Sequence, residues 1–338
     1  MTALLAYSSE HPGILQNIQI PIVRFVYAPD WLLENVVRNC CDTSKRCVLC
    51  LDTTYNIGPF YVTPTTYTRK DVLHRETKKP ATFPGPAMIH ATKEDGDFFY
   101  FAATLAEQNR SITTCKFIGG DRDSAQKSFT ALFPNHVFVP CTKHVKDDII
   151  RQLGKLHLTN MKERYIEDIF GCHKKQKKGL MDAVDDDGFE SHLEALYDEW
   201  DEDFVKYFDT NIKCDMKSGM LLPLRQHLGI DRFYNNGNEC MNKKYKNLVK
   251  EYVAKTKGTV RTRSYKLSYV EAVEIYAKLC KNHSLDLAAS VYDEGTYELT
   301  GANAEHQING DKWNEMNPRQ RRELLKRIDC YYNKGDLI

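Results

Sequence analysis

Cys47-Val48-Leu49-Cys50-Leu51-Asp52-Thr53-Thr54-Tyr55 is an apolar, β-rich run that stops on an acid. Such density of Val, Leu and Cys suits a strand buried on both faces, and Asp52 with the two hydroxyls after it marks the strand end. Downstream, runs at 59–67 and 84–91 have the same character. They are separated by Gly58-Pro59 and by the polar segment Thr68 to Lys79, as in a strand meander. A helix is expected from Asp97 to Gln108, where Phe98, Phe101, Ala102, Leu105 and Ala106 share one face. A short strand Cys115 to Ile118 then runs into Gly119-Gly120-Asp121. A helix (Ser124 to Phe133), a strand (His136 to Val139) and a helix (Thr142 to Leu153, with Val145, Ile149 and Leu153 apolar) complete the series.

The order β-β-β-α-β-α-β-α predicts an α/β chain with an α+β mixed sheet, specifically an RNase H-like (retroviral integrase-like) domain. Residues 1–46 form a lead-in, with strand-like content from Ile18 to Val26 and a short helix from Asp30 to Arg38 capped by Asp30. Residues 47–156 hold the first part of the core. Residues 157–234 have helical periodicity with segregated charge, basic from His173 to Lys178 and acidic from Asp182 to Asp203, and are expected to be a helical insertion. Residues 235–338 begin with the turn Asn235-Asn236-Gly237-Asn238 and continue as a helical C-terminal region: Glu239 to about Lys255, Ser268 to Asn282 and Pro318 to Tyr332.

Bulk composition narrows the function classes. The 338 residues carry 47 basic and 46 acidic side chains, so any nucleic-acid surface has to come from local clustering. Eleven cysteines, an odd number spread along the chain, argue for reduced thiols in an intracellular protein. The first ten residues lack signal-peptide character and no window approaches ~18 apolar residues, so no membrane partner is expected.

Three acids are the candidate catalytic residues and the candidate ligands for Mg²⁺ or Mn²⁺: Asp52, Asp121 and Glu239. In the arrangement above, Asp52 and Asp121 end neighbouring strands, and carboxylates there suit hard divalent cations. Two such metals stabilise the attacking and leaving oxygens of an in-line phosphoryl displacement. Each acid also has an ordinary reading. Asp52 suits a strand-end turn, Asp121 the cap of the helix beginning near Arg122, with Asp123 as its substitute, and Glu239 the first turn of a helix. Glu107, Glu163 and Glu251 are reserve candidates for the third acid.

These segments resemble the motifs of Mutator-like (MULE) DDE transposases. Leu51-Asp52-Thr53-Thr54-Tyr55-Asn56-Ile57-Gly58 is similar to the first catalytic motif and Phe117-Ile118-Gly119-Gly120-Asp121-Arg122-Asp123-Ser124-Ala125 to the second. Phe133-Pro134 is a further match, Cys141-Thr142-Lys143-His144 resembles the Cys-x2-His element after the fifth strand, and Asn235 to Asn242 resembles the segment carrying the third acid beyond a helical insertion. The resemblance covers roughly residues 10 to 335, with specific motifs between 47 and 245. It implies a catalytic core that cleaves DNA at a transposon end and transfers the strand to target DNA, with Mg²⁺ or Mn²⁺ held by the three acids, in a homo-oligomer; the location expected is the nucleus, otherwise the cytoplasm. Arg122 and Asp123 depart from the pattern, which has Gly and then Glu after the second acid. No upstream DNA-binding module or terminal zinc motif is visible, so a truncated gene product and a domesticated, catalytically silent DNA- or protein-binding descendant stay open. An RNase H or exonuclease is disfavoured because Thr54 stands where a second acid would follow Asp52.

Four other groups are candidate sites. Cys141 and His144 lie one helical turn apart and suit either a Zn²⁺ ion or a buried Cys–His pair; Cys172-His173 would have to supply the remaining ligands. Cys47 and Cys50 have zinc-like spacing, but strand packing explains them better. The stretch Lys243 to Lys266 interleaves Lys243, Lys244, Lys246, Lys250, Arg261 and Arg263 with tyrosines, which suits DNA phosphates and stacked bases as well as a solvated helix face. Lys174 to Lys178 resembles a short nuclear-import cluster.

Overall fold

The structure, a computed structural model, describes residues 1–257 and 265–332, apart from the side chains of 124 and 126. Its strands are β1 (Leu15–Gln19), β2 (Arg24–Tyr27), β3 (Leu49–Leu51), β4 (Thr54–Gly58), β5 (Phe60–His74), β6 (Pro80–His90), β7 (Phe117–Gly120), β8 (Val137–Pro140) and β9 (Tyr297–Leu299). With the many helices around them they make a mixed α/β fold of the α+β kind. The chain divides into two compact units. Unit 1 comprises Met1–Lys116, Ser124–Asn135 and Asn236–Ile338, and unit 2 comprises Phe117–Asp123 and His136–Asn235.

Unit 1 is built on an antiparallel sheet in the order β1-β2-β6-β5-β3, with β4 and β9 also paired to β5. The expected strand at 47–53 is β3, with all three residues buried. The expected strand 59–67 runs on to His74, because Tyr67, Arg69 and Val72 are buried in what looked like a polar loop. Two helices pack together in this unit, Asn236–Lys257 and Tyr269–Ala289. The first presents Met241, Tyr245, Val249 and Val253, each four residues on, to the core that also holds Phe25, Ile57, Val62 and Tyr276. Its N-terminal turn sits so close to the sheet that a side chain at Gly237 would come within 2.9 Å of the Thr82 hydroxyl. Asp30 begins its helix (Asp30–Cys40) rather than capping it. Pro29 holds the cap position, and the Asp30 carboxylate still favours the positive helix end.

Unit 2 pairs β7 and β8 in parallel, Phe117 to Gly120 against Val137 to Pro140. Around this pair stand the helices Thr142–Lys155, Lys162–Phe170, Asp186–Tyr197, Glu202–Asn211 and Lys213–Gly219. They share a core of Val145, Ile149, Leu153, Ile169, Leu193, Phe204 and Phe208. Trp200 stacks on Tyr165 at 5.5 Å, and its Nε1 donates to Asp168 Oδ2 at 3.0 Å. The acidic run is largely helix punctuation: Asp185 accepts from the Gly188 N–H, and Asp201 from those of Asp203 and Phe204. Gly219 has no room for a side chain, since a Cβ there would meet the Phe138 carbonyl at 2.1 Å.

Candidate functional site

Asp52 follows the buried end of β3 in unit 1 and is itself half-buried. Its Oδ2 accepts a 2.8 Å hydrogen bond from Nδ2 of Asn242, one turn beyond Glu239 on the helix Asn236–Lys257. The start of that helix is tied to the sheet by the Thr66 hydroxyl, which donates to Oδ1 of the buried Asn238. Strand end and helix together form a cleft of about 600 Å³ whose lining includes Asp52, Thr53, Tyr55, Glu239, Asn242 and Lys246. Lys243, Asn247, Lys250 and Tyr265 also line it.

The side chains in this cleft follow from helical geometry. With Met241, Tyr245 and Val249 facing inward, residues 239, 243, 246 and 250 fall on the outer stripe beside the strand end. Tyr55 is 57% exposed, and Lys246 Nζ stands 5.1 Å from the centre of its ring. Of the other expected DNA-contacting residues, Lys244 lies off the cleft, and Arg261 and Arg263 fall outside the described residues.

Asp121 belongs to unit 2, just past the end of β7. Its Oδ1 lies 2.7 Å from Nδ1 of His144, a charge contact rather than a well-directed hydrogen bond, and weakly accepts from Asn235 Nδ2 at 3.5 Å. Cys141 stands at the cap position of the helix Thr142–Lys155, its sulfur accepting from the Asn235 backbone N–H at 3.3 Å. Contact with Asp121, then with Cys141, raises the His144 pKa to about 10. Burial pushes the Cys141 thiol up, but the His144 interaction and the backbone N–H outweigh it, leaving its pKa below the ordinary thiol value. His144 is thus an imidazolium held by Asp121. Arg122 turns to other partners, donating to Asp215 at 2.8 Å and Asp148 at 3.2 Å. Asp121, Arg122, Asp123, His144, Asp148 and Arg151 line a polar cleft of about 520 Å³ in this unit.

Asp52 and Glu239 therefore share one cleft of unit 1, while Asp121 is engaged with His144 in unit 2. Among the described residues no group of three or more His, Cys, Asp and Glu side chains is placed to hold a metal ion. The donor chemistry of the unit 1 cleft nevertheless suits Mg²⁺ or Mn²⁺. It offers two carboxylates, and the buried oxygens Asn242 Oδ1 and Thr54 Oγ1 have no hydrogen-bond partner. Mg²⁺ commonly takes one or two carboxylates and completes its shell with water and substrate phosphate. Sequence reasoning had not singled out Asn242 or Thr53. The signal for Asn242 was its place one helical turn after Glu239, the next rung of the same stripe.

No protein-family model matches the chain, and no curated protein matches its sequence. Among the described residues no helix is long and apolar enough to cross a membrane.

Proposed function

We propose that this protein is a metal-dependent enzyme of DNA phosphodiesters, a nuclease and strand transferase on an RNase H-like core of the kind found in Mutator-like DDE transposases. The observation that carries the reading is the unit 1 cleft, where two carboxylates, Asp52 and Glu239, stand with Lys243, Lys246 and Lys250. Carboxylates alone would repel a polynucleotide. Three lysines along one helix face reverse that, giving phosphates a basic rail that ends at the acids. Asn242 holds the Asp52 carboxylate in one orientation, and Tyr55 presents an exposed ring on which a base can stack. Asp52 and Glu239 would hold Mg²⁺ or Mn²⁺, which would neutralise charge on the phosphate under attack and lower the pKa of an attacking water or 3′-hydroxyl. The resemblance adds Asp121 as a further acid, which would have to part from His144 to serve.

The test is nicking of supercoiled DNA by purified protein in Mg²⁺ or Mn²⁺, with Asp52→Ala as control. Equal activity in the two proteins would sink the proposal. A second reading, a catalytically silent DNA- or protein-binding descendant, is favoured by the Asp121–His144 ion pair and by the lack of a three-donor group among the described residues. Tight binding to DNA with no Asp52-dependent nicking would select it.

A further inference from the structure

A second cavity in unit 1, of about 590 Å³, shares no lining residue with the Asp52 cleft. It lies between the turn at Pro12 to Ile14, the step from β2 into the helix Asp30–Cys40, and the outer edge of the helix Tyr269–Ala289, with Tyr332 completing the wall.

The placement of each wall follows from the elements that carry it. Phe25 and Tyr27 alternate onto the face of β2 that packs on the helix Tyr269–Ala289, where their rings lie 5.9 Å from Tyr269 and 5.7 Å from Tyr276. Because Tyr276, Leu279 and Cys280 of that helix face the same core, Ala277, Lys278 and Lys281 fall on its outer edge, and both lysines are exposed. Trp31 and Asn35 lie one turn apart on the helix Asp30–Cys40. Asn35 clasps the chain at Tyr331, its Nδ2 donating to the carbonyl at 2.8 Å and its Oδ1 accepting from the N–H at 2.9 Å. That clasp brings the next residue, Tyr332, to the cavity that Trp31 lines.

Three kinds of group therefore meet here. Tyr27, Trp31 and Tyr332 give aromatic surface against which a planar ring packs. Lys278 and Lys281 line the cavity with their stems, and their length lets the ammonium groups meet an anion at its mouth. Asp30 gives Oδ1 to Nε2 of Gln108 at 2.9 Å and keeps Oδ2 to accept from a ligand. Cavities of this size, mostly apolar with a few polar groups, are typical of small-molecule sites. Two lysines against one aspartate leave the lining with a net positive charge, so the complementary ligand is an anion. An aromatic carboxylate would use the rings and the lysines but has no donor for Asp30. A nucleotide uses all three, with its base on the rings, a sugar hydroxyl or base amine on the carboxylate, and its phosphate on the lysines.

We infer that this cavity binds a free nucleoside 5′-phosphate, its base packed among Tyr27, Trp31 and Tyr332 and its phosphate held by Lys278 and Lys281. The site is separate from the proposed DNA cleft and stands or falls without it.

The experiment is equilibrium dialysis of the full chain, with saturation-transfer NMR, against adenosine 5′-monophosphate, adenosine and naphthalene-2-carboxylate in turn. The monophosphate should bind with saturation reaching its base protons, and adenosine should bind ~10-fold or more weakly, since a charge-assisted phosphate contact is lost. The double variant Lys278→Gln/Lys281→Gln alters only exposed side chains, so its fold is expected to hold. It should weaken the monophosphate ~10-fold or more and leave adenosine unchanged, whereas Trp31→Ala should weaken both. No binding of the monophosphate by the parent chain, equal affinity for monophosphate and adenosine, or parent affinity in the double lysine variant would overturn the inference. Naphthalene-2-carboxylate binding as tightly as the monophosphate would overturn the nucleotide assignment. A 5′-phosphorylated oligonucleotide that displaces the monophosphate and binds more tightly through the same lysines would overturn the free ligand in favour of a strand end.

Discussion

Nδ2 of Asn242 donates a 2.8 Å hydrogen bond to Oδ2 of Asp52, joining the end of β3 to the outer stripe of the helix Asn236–Lys257. Because the stripe recurs at helical spacing, the same bond fixes where Lys243, Lys246 and Lys250 stand relative to the strand-end acid.

If those lysines meet phosphates, each contributes charge neutralisation with no sequence reading. Lys246→Ala and Lys250→Ala should then weaken binding to all DNA sequences alike. Each should also flatten the dependence of log affinity on log salt by about one unit. Fluorescence anisotropy across a salt series measures this. An unchanged slope in the double variant would place the DNA elsewhere on the protein.

Tyr55 carries a separate expectation. An exposed ring beside a backbone-tracking groove stacks bases, worth about 1–3 kcal/mol per base on alanine substitution. Tyr55→Ala should weaken single-stranded DNA binding by that amount and duplex binding less, whereas Tyr55→Phe should match the parent. A Tyr55→Phe loss as large as that of Tyr55→Ala would point to the hydroxyl and away from stacking.

How much of this was legible in the sequence depended on how local each feature is. The Asp52 strand end could be read because three consecutive buried residues, Leu49 to Leu51, precede it. The Glu239 helix could be read because its apolar stripe and its lysines alternate at helical spacing. By contrast, the second half of β5 was hidden because Arg69 is a polar residue buried by distant partners. The three-residue β9 was hidden because pairing with Val72 to His74 makes it a strand. The hydrogen bonds that join Thr53 to Thr63 and Thr63 to His90 depend on the pairing of β5 with β6 (Val62 with Ile89, Thr63 with Met88), and no spacing along the sequence encodes that register.

His144 gives the pH-dependent case. Its pKa is raised to about 10 by Asp121 and then by Cys141, against an ordinary value of about 6.5. A raised pKa stabilises the fold fully below the unfolded value, and that stability is lost as pH rises towards the folded one. The melting temperature should therefore fall between about pH 6.5 and pH 10 by more in the parent than in Asp121→Asn. Proton NMR of the ring should show imidazolium persisting at pH 8 in the parent only. A His144 ring that titrates at its ordinary value in the parent chain would remove the ion pair.

Arg69 holds the C-terminal segment to β5 in unit 1. Fully buried, its guanidinium donates to both carboxylate oxygens of Asp71, at 3.1 and 2.5 Å, and to the carbonyl of Ile328 at 2.9 Å. Asp71 also accepts from Asn303 at 2.6 Å, so one pair fastens two distant segments to the strand. Burial raises the Asp71 pKa, but the Arg69 bonds and charge outweigh it, and the net shift is downward. A lowered carboxyl pKa gives stability that is present above the unfolded value and lost as pH falls through the folded one. Removing one partner of a buried pair strands the other charge, a loss of about 3–5 kcal/mol, and Asp71's partial exposure puts Arg69→Met near the lower figure. Urea unfolding at pH 7 should show a loss of about 3 kcal/mol. Adding Asp71→Asn should recover part of it by removing the stranded charge, and the parent–variant gap should narrow in acid as Asp71 takes up its proton. An Arg69→Met protein with the parent's unfolding midpoint would mean that the packing of Ile328 and Cys330, rather than this ion pair, secures the segment.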